Sequence, residues 1–312
     1  MYTIGMDIGG TNLVAGLVDR QAQIVHKEKC KTPRESDRAL IDAVIGLIDR
    51  VIKNAGVSHK DVRYAGLGAP GSVDQDAGEI VYANNIPFRN TPACRWVEEG
   101  TGLKTFIDND GNAAALGEVY AGSMKDCRDA IAVTLGTGIG GGIIINRKIY
   151  AGFNHAGAEV GHQVIVMNGR MCTCGRPGCW EAYASATGLI YDTREAMKAH
   201  PDSAMWRMAG NLEGVGGRTA FDAMRAGDPA GIGVVNGYID YLACGIANLV
   251  SIFQPEAIAV GGGICNEGDA LILPLRERVT AMQYYRGARS TQLRVATLGN
   301  DAGVIGAALL GE

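Results

Sequence analysis

The amino-acid sequence predicts an α/β protein with a duplicated fold, two α/β domains around a central cleft. Three observations lead there. First, "IGMDIGGTNLVAGLVD" (residues 4–19) is matched by "IAVTLGTGIGGGIIIN" (residues 131–146). Each is an apolar strand, a Gly/Thr turn and a second β-rich strand, with Asp7 falling on Thr134 and Gly9 on Gly136. Self-similarity of this kind marks a repeated architecture. Second, "TFIDNDGNAAALGE" (residues 105–118) reads as a strand then a helix, and "AIAVGGGIC" (residues 257–265) as a strand after a long helix. Third, glycine makes up 45 of 312 residues, about twice the ordinary share. It clusters after apolar runs, which suggests loops whose backbone approaches a ligand closely.

The elements follow in order. Residues 38–56, "RALIDAVIGLIDRVIKNAG", have the spacing of an amphipathic helix closed by Gly56. In residues 105–118 an apolar strand ends in Asp108, Asn109 and Asp110, and a run of good helix formers follows. Residues 199–228 are helical with a polar break. Asp228 is an N-cap and Pro229 suits the first position of a helix running to about Ile252. "AIAVGGGIC" reads as a buried strand ending in glycines, and the tail "DAGVIGAALL" as a helix that docks back onto the first domain. The expected boundaries are residues 1–118 for the first domain, joined by a helix of about 300–312, and residues 119–299 for the second.

Composition excludes several classes. A net charge of −4 argues against a nucleic-acid surface, which needs clustered Lys and Arg. The start "MYTIGMDIGG" has neither a basic nor a long apolar signal region, and no run of about 18 uninterrupted apolar residues points to a membrane span. A cytoplasmic protein is expected. Cys30, Cys94, Cys127, Cys244 and Cys265 are scattered singly and read as reduced, mostly buried thiols.

Chemistry concentrates in four places. Gly136, Gly138 and Gly141 satisfy G-x-G-x-x-G, but β-branched "GGIIIN" follows where a dinucleotide site requires a helix. No Gly-Lys-Ser/Thr follows either, so a Walker loop is also excluded. Two matched Gly/Thr turns remain, which can aim backbone N–H groups at phosphate oxygens or can simply be tight hairpins. Asp110, at a strand end beside a helix N-terminus, suits a general base that takes a proton from a hydroxyl; helix capping is the alternative. Glu159 and His162, three apart, suit a metal or vicinal hydroxyls, or are an exposed Glu and a core His. Cys172, Cys174 and Cys179 with His162 form the Cys₃His set of closed structural zinc sites. Arg176-Pro177-Gly178-Cys179 is a type II turn that returns Cys179 to the other thiols. A redox pair leaves the third cysteine unexplained, and a nucleic-acid finger would want paired spacings and basic residues.

Taken together, "DIGGT", "DNDGNAAALGE", "LGTGIGGG", "HAGAEVGH", "CTCGRPGCWEAYAS" and "AVGGGI" resemble the ROK family of bacterial sugar kinases along nearly the whole chain. The resemblance implies an actin-like (ribonuclease H-like) fold with ATP and a hexose in the cleft, and phosphorylation of glucose at its primary hydroxyl. A kinase for N-acetylglucosamine or N-acetylmannosamine is the alternative. A sugar-responsive transcriptional regulator is a third reading, set aside because the first phosphate strand begins within the first few residues. By resemblance Asp7, Gly9, Gly10, Thr11 and Asn12 form the first phosphate turn, with Asp7 near Mg²⁺; many members have lysine at the position of Asn12. Thr137, Gly138 and Gly140 form the second turn, and Gly262 and Gly263 lie against the nucleoside. Asn109, Asp110, Glu159, His162 and Glu181 match sugar-binding positions, with Asp110 the base and with Gly71 and Asn85 on the same side. His162 is expected to hold a structural Zn²⁺ through one ring nitrogen and to face a sugar hydroxyl with the other. A homodimer or homotetramer is expected.

Overall fold

The computed structural model describes all 312 residues except Asn85, Arg286 and Ala288. The chain divides into two units. The first comprises Met1–Ala132, Gly142–Ala158 and Ala296–Glu312, and the second Val133–Gly141 and Glu159–Val295. In chain order the elements are β1 (Tyr2–Ile8), β2 (Asn12–Val18), β3 (Ile24–Lys31), α1 (Asp37–Asn54), β4 (Val62–Ala69), β5 (Ser72–Asp74), β6 (Glu79–Tyr82), β7 (Arg89–Thr91), α2 (Ala93–Thr101), β8 (Thr105–Asn109) and α3 (Asp110–Tyr120). There follow β9 (Ala130–Leu135), β10 (Ile139–Ile145), β11 (Lys148–Ile149), α4 (Glu181–Ala184), α5 (Ala186–Ala199), α6 (Ala204–Ala209), α7 (Thr219–Arg225), α8 (Pro229–Phe253), β12 (Ala257–Gly261), α9 (Asp269–Met282), β13 (Gln292–Val295) and α10 (Ala302–Ala307).

One sheet has the order β3-β2-β1-β4-β8, the other β11-β10-β9-β12-β13, and β5-β6-β7 form a small third sheet. The two large sheets match strand for strand, which is the duplication that the paired hairpin sequences predict. In the first, β2 runs antiparallel to β1, while β4 and β8 continue parallel to it. Parallel strands need both faces covered, and the sequence supplies two kinds of cover. On one face α1 turns Leu40, Ile41, Val44, Leu47, Ile48 and Val51 inward, the stripe expected of a helix packed on a sheet. Ser36 starts that helix by accepting a hydrogen bond from Ala39 N.

The C-terminal helix α10 covers the sheet differently, at backbone contact. A Cβ added at Gly5 of β1 would lie 1.8 Å from Val304 O, and one at Gly66 of β4 1.8 Å from Ala307 O. A Cβ at Gly306 would lie 1.6 Å from Ala113 O of α3, and one at Gly117 2.4 Å from Ala302 O. The abundance of glycine therefore has a second cause beyond ligand approach: α10, α3 and the sheet meet without side chains between them. Buried Glu118 pins the entry to α10, accepting hydrogen bonds from Thr297 N and Leu298 N through Oε1 and from Ser123 N and Oγ through Oε2. A buried carboxylate satisfied in this way avoids the cost of desolvation.

In the second unit the core is built on α8, capped by Asp228, which accepts from Gly231 N. By length and composition α8 could cross a membrane, but half of its most apolar stretch is buried inside the protein. Its residues Val235, Tyr238, Ile239, Leu242 and Ile246 are core, and it packs on α5, α7 and α9. Gly245 admits Trp180, whose ring a Cβ there would approach to 2.1 Å. Trp180 Nε1 donates to Tyr241 O at 2.9 Å, so the chain just after Cys179 is anchored in the core.

These contacts separate two kinds of glycine. Gly306→Ala should lower unfolding free energy by about 3 kcal/mol, because the clashing atom is backbone and cannot swing aside. Gly46→Ala, on an exposed turn of α1 with nothing within 4 Å, should instead add about 0.5–1 kcal/mol. Urea titration of both variants checks this, and equal effects would show that α10 is not seated at backbone contact.

Candidate functional site

In the first unit, β1 delivers Asp7 to the edge of a turn closed by Gly9 N donating to Asn12 O at 3.1 Å. The turn's carbonyls are all tied back. Thr32 Oγ1 donates to Gly9 O (2.6 Å), Arg34 Nη2 to Gly10 O (2.9 Å) and Thr32 N to Thr11 O (3.1 Å). With those acceptors occupied, the turn presents donors to a ligand, the polarity that suits phosphate. Arg34 also brings a guanidinium to the turn, where position 12 is asparagine. It lies 24 residues from Gly10, and no local motif points to it.

Asp108, Asn109 and Asp110 take three different roles. Asp108 is 4% exposed and accepts from Asn109 N (2.7 Å), Gln75 Nε2 (2.7 Å) and Asn112 Nδ2 (2.9 Å). Burial raises its pKa, against those hydrogen bonds and the charge of His155. Asn109 is the N-cap of α3, accepting from Gly111 N and Asn112 N, and its Nδ2 donates to Gly71 O at 3.1 Å. Gly71, at φ 87°, has Tyr82 O where a Cβ would stand. Asp110 is exposed at the first position of α3 and accepts from Gly111 N at 2.8 Å. Since Asn109 is the cap, Asp110 stands in the first turn of the helix.

Asp7 is the most perturbed of these groups. Burial first, and then the negative charge of Asp110, push its pKa up to about 6. On α10, a Cβ added at Gly303 would be 3.3 Å from Asp7 Cγ. The charge of Asp110 thus reaches Asp7, and a cation bound there would relieve that repulsion.

In the second unit the β9–β10 turn is closed by Gly136 N donating to Gly138 O at 3.0 Å. Gly136 O accepts from Ala186 N (2.9 Å) and Thr137 O from Thr187 Oγ1 (2.7 Å). Gly140 has nothing within 4 Å of a Cβ position. At the end of β12, Gly262 adopts φ 97° against Leu135 O, and Gly263 is open. Glu159 precedes a 3-10 turn over Val160–His162, with His162 N donating to Glu159 O at 3.1 Å. Glu181 starts α4, and its Oε2 accepts from Ile139 N at 2.9 Å.

The candidate metal ligands are together. A ring nitrogen of His162 and the sulfurs of Cys172, Cys174 and Cys179 all lie within 4.8 Å of one another. Cys172 Sγ is 3.7 Å from His162 Nδ1, and Cys174 Sγ is 3.6 Å from Cys179 Sγ. Tetrahedral zinc with bonds of about 2.3 Å to sulfur needs sulfurs about 3.7 Å apart, so the donor set and spacing fit. Gly178 has φ 84°, as the expected type II turn requires. Burial, then the neighbouring thiols, push Cys179 up to about 12, while Cys174 is pulled down, first by a hydrogen bond from the Arg176 backbone.

Asn85 lies outside the described residues. Sequence reasoning missed Arg34, Gln75 and Asp108 as site residues, and missed a second donor group, Asp74, Asp76 and His155, in which His155 Nε2 lies 3.2 Å from Asp76 Oδ2. Asp108 could have been found, since its carboxylate precedes a helix that Asn109 already caps.

A carboxylate pair beside a donor-presenting Gly/Thr turn, and a second such turn in a sheet of the same order, define a duplicated α/β protein suited to phosphate ligands. The chain belongs to the ROK family, whose model matches residues 3–312. It is 38% identical over 310 residues to a glucokinase of Halalkalibacterium halodurans, covering 98% of this chain and 93% of that protein. Among solved structures it is similar to a ROK family glucokinase of Streptomyces griseus in complex with glucose and AMPPNP, at 36% identity, TM-score 0.81 and 99% coverage of each chain. A ROK hexokinase of Thermus thermophilus is 32% identical with TM-score 0.83, covering 99% of this chain and 97% of that one.

The raised pKa of Asp7 has a thermodynamic consequence. A carboxyl whose folded pKa exceeds its unfolded value binds its proton more tightly when folded, so ionisation costs stability. That cost is fully present above about pH 6, shrinks as pH falls from about 6 to 3.8, and is absent below. Asp7→Asn should therefore melt about 3 °C higher than the wild type at pH 7.5, with the gain fading toward pH 4. Equal melting temperatures at pH 7.5 would show that the carboxylate is not disfavoured where it sits.

Proposed function

We propose that the protein transfers the γ-phosphoryl group of ATP to the primary hydroxyl of glucose, with Asp110 as general base. The observation that carries this is the division of labour at the end of β8. Asn109 caps the helix and Asp108 is buried, so Asp110 is left exposed at the helix N-terminus. The similarity to a Streptomyces griseus enzyme holding glucose and AMPPNP supports the choice of substrates.

In this reading Asp110 takes the proton of the sugar hydroxyl as its oxygen bonds to phosphorus. The bond from phosphorus to the bridging oxygen of ADP breaks, and ADP leaves with that electron pair. Mg²⁺ would supply charge neutralisation at the phosphates when bound, and Asp7 fits as the residue that holds it. Gly9, Gly10, Thr11 and Asn12 on the first unit would offer donors to phosphate, as would Thr137, Gly138 and Gly140 on the second. Gly262 and Gly263 would lie against the nucleoside. Gly71, Asn109 and Asp110 on the first unit, and Glu159, His162 and Glu181 on the second, are the proposed sugar ligands; Asn85 is proposed with them. Zn²⁺ would be held by His162 Nδ1, Cys172, Cys174 and Cys179. Its chemistry is structural: fixing Nδ1 leaves Nε2 at the opposite edge of the ring in a defined orientation for a hydroxyl.

Asp110→Asn keeps the size of the side chain and removes the base. Its kcat with glucose should fall about 10²–10⁴-fold, with glucose affinity by calorimetry nearly unchanged. Retention of more than about a tenth of the wild-type kcat would remove Asp110 from this role. The wild type should show a higher kcat/KM for glucose than for N-acetylglucosamine or N-acetylmannosamine, and the reverse order would overturn the choice of sugar.

A further inference from the structure

Glu181 stands two residues after Cys179, and its carboxylate faces two ways. Oε2 accepts from Ile139 N, the first amide of β10. It also fills the space beside Gly138, where a Cβ would come within 2.1 Å of it. Oε1 accepts from Thr173 Oγ1 at 3.4 Å and lies 3.7 Å from Cys172 Sγ. One side chain thus touches both the β9–β10 turn and the loop that carries the cysteines.

The rest of the same segment fastens the turn further. Ala186 N holds Gly136 O, and Thr187 Oγ1 holds Thr137 O. Four consecutive residues of the turn, 136 to 139, therefore lean on residues 181–187. That segment is in turn set by what precedes it. Trp180 N donates to Gln163 O at 2.8 Å, and Cys179 is one of the four clustered donors. Glycine at 138 follows from this contact, since any side chain there would displace the carboxylate.

We propose that Glu181 is a positioning residue that transmits the order of the cysteine loop to the β9–β10 turn. A metal held by His162 and the three thiols then sets the geometry of the turn as well as the orientation of His162. The consequence for nucleotide rests on reading this turn as a phosphate cradle. On that reading, loss of the metal weakens nucleotide as well as sugar, contrary to what a metal serving the sugar pocket alone would do. A side chain acting only as a sugar ligand would leave the turn indifferent to the metal.

Hydrogen exchange read by mass spectrometry tests this on the full chain, as isolated and after chelation. In the wild type, chelation should speed exchange of the peptide covering residues 136–141 by roughly tenfold or more, the scale of losing one hydrogen bond to a charged acceptor. Glu181→Ala should exchange fast there before chelation and respond no further. Glu181→Gln, whose side-chain carbonyl can still accept from Ile139 N, should recover part of the protection. Peptides of α8 report that each sample is folded, and the peptide covering residues 9–12 should not respond. An unchanged rate at 136–141 after chelation of the wild type overturns the proposal, as does a Glu181→Ala protein that responds like the wild type. Titration with Mg–ADP separates the two readings. A turn that loosens while ADP affinity holds would keep the link and remove the phosphate role assigned to the turn.

Discussion

Asp7 and Asp110 sit close enough that the charge of one adds to the burial that raises the pKa of the other, and most of the first unit serves to keep them there. Asp7 lies near the end of a strand whose Gly5 admits the α10 backbone, and Asp110 begins a helix whose Ala113 carbonyl is met by Gly306. Gly68 of β4 intervenes, with Asp110 Cα 3.8 Å from its Cβ position. Because these elements meet at backbone distance, the main chain that carries each aspartate is held in place. Such an arrangement disfavours the Asp7 anion and so costs stability.

The second unit repeats the sheet order without repeating the charge. Thr134 stands where the first repeat has Asp7, and the turn that follows is fastened from α4 and α5. Chemistry is therefore divided between the copies. The first contributes carboxylates and the arginine of its turn, and the second contributes donors, a carboxylate brace and a thiol–imidazole cluster. Duplication supplies two similar turns, and the residues around them decide what each can hold.

Duplication and the cysteine cluster were legible in the sequence because both are local: a hairpin motif seen twice, and three cysteines with a type II turn among them. The role of each acidic residue after β8 was only half legible. Three polar residues exceed what a cap needs, but Asn109 is identified as the cap, and Asp108 as buried, only by partners such as Gln75, 33 residues away. Arg34 and Glu118 were invisible for the same reason, their partners lying far along the chain. Glycine was misleading in part. Gly5 and Gly306 look like any others in a glycine-rich chain, yet they serve helix packing. Glu181 was expected as a sugar ligand only from the family resemblance, while its hold on Ile139 requires the folded turn.

The coupling between the two carboxylates is open to direct measurement. Carbon-13 NMR of aspartate-labelled protein, with Asp7 assigned by its loss in Asp7→Asn, gives its titration in the wild type and in Asp110→Asn. The account predicts a midpoint of about 6 in the wild type. In Asp110→Asn the midpoint should be lower but still above the ordinary 3.8, since burial is the larger cause. An ordinary carboxylate value in the wild type, or one midpoint shared by both proteins, would contradict it.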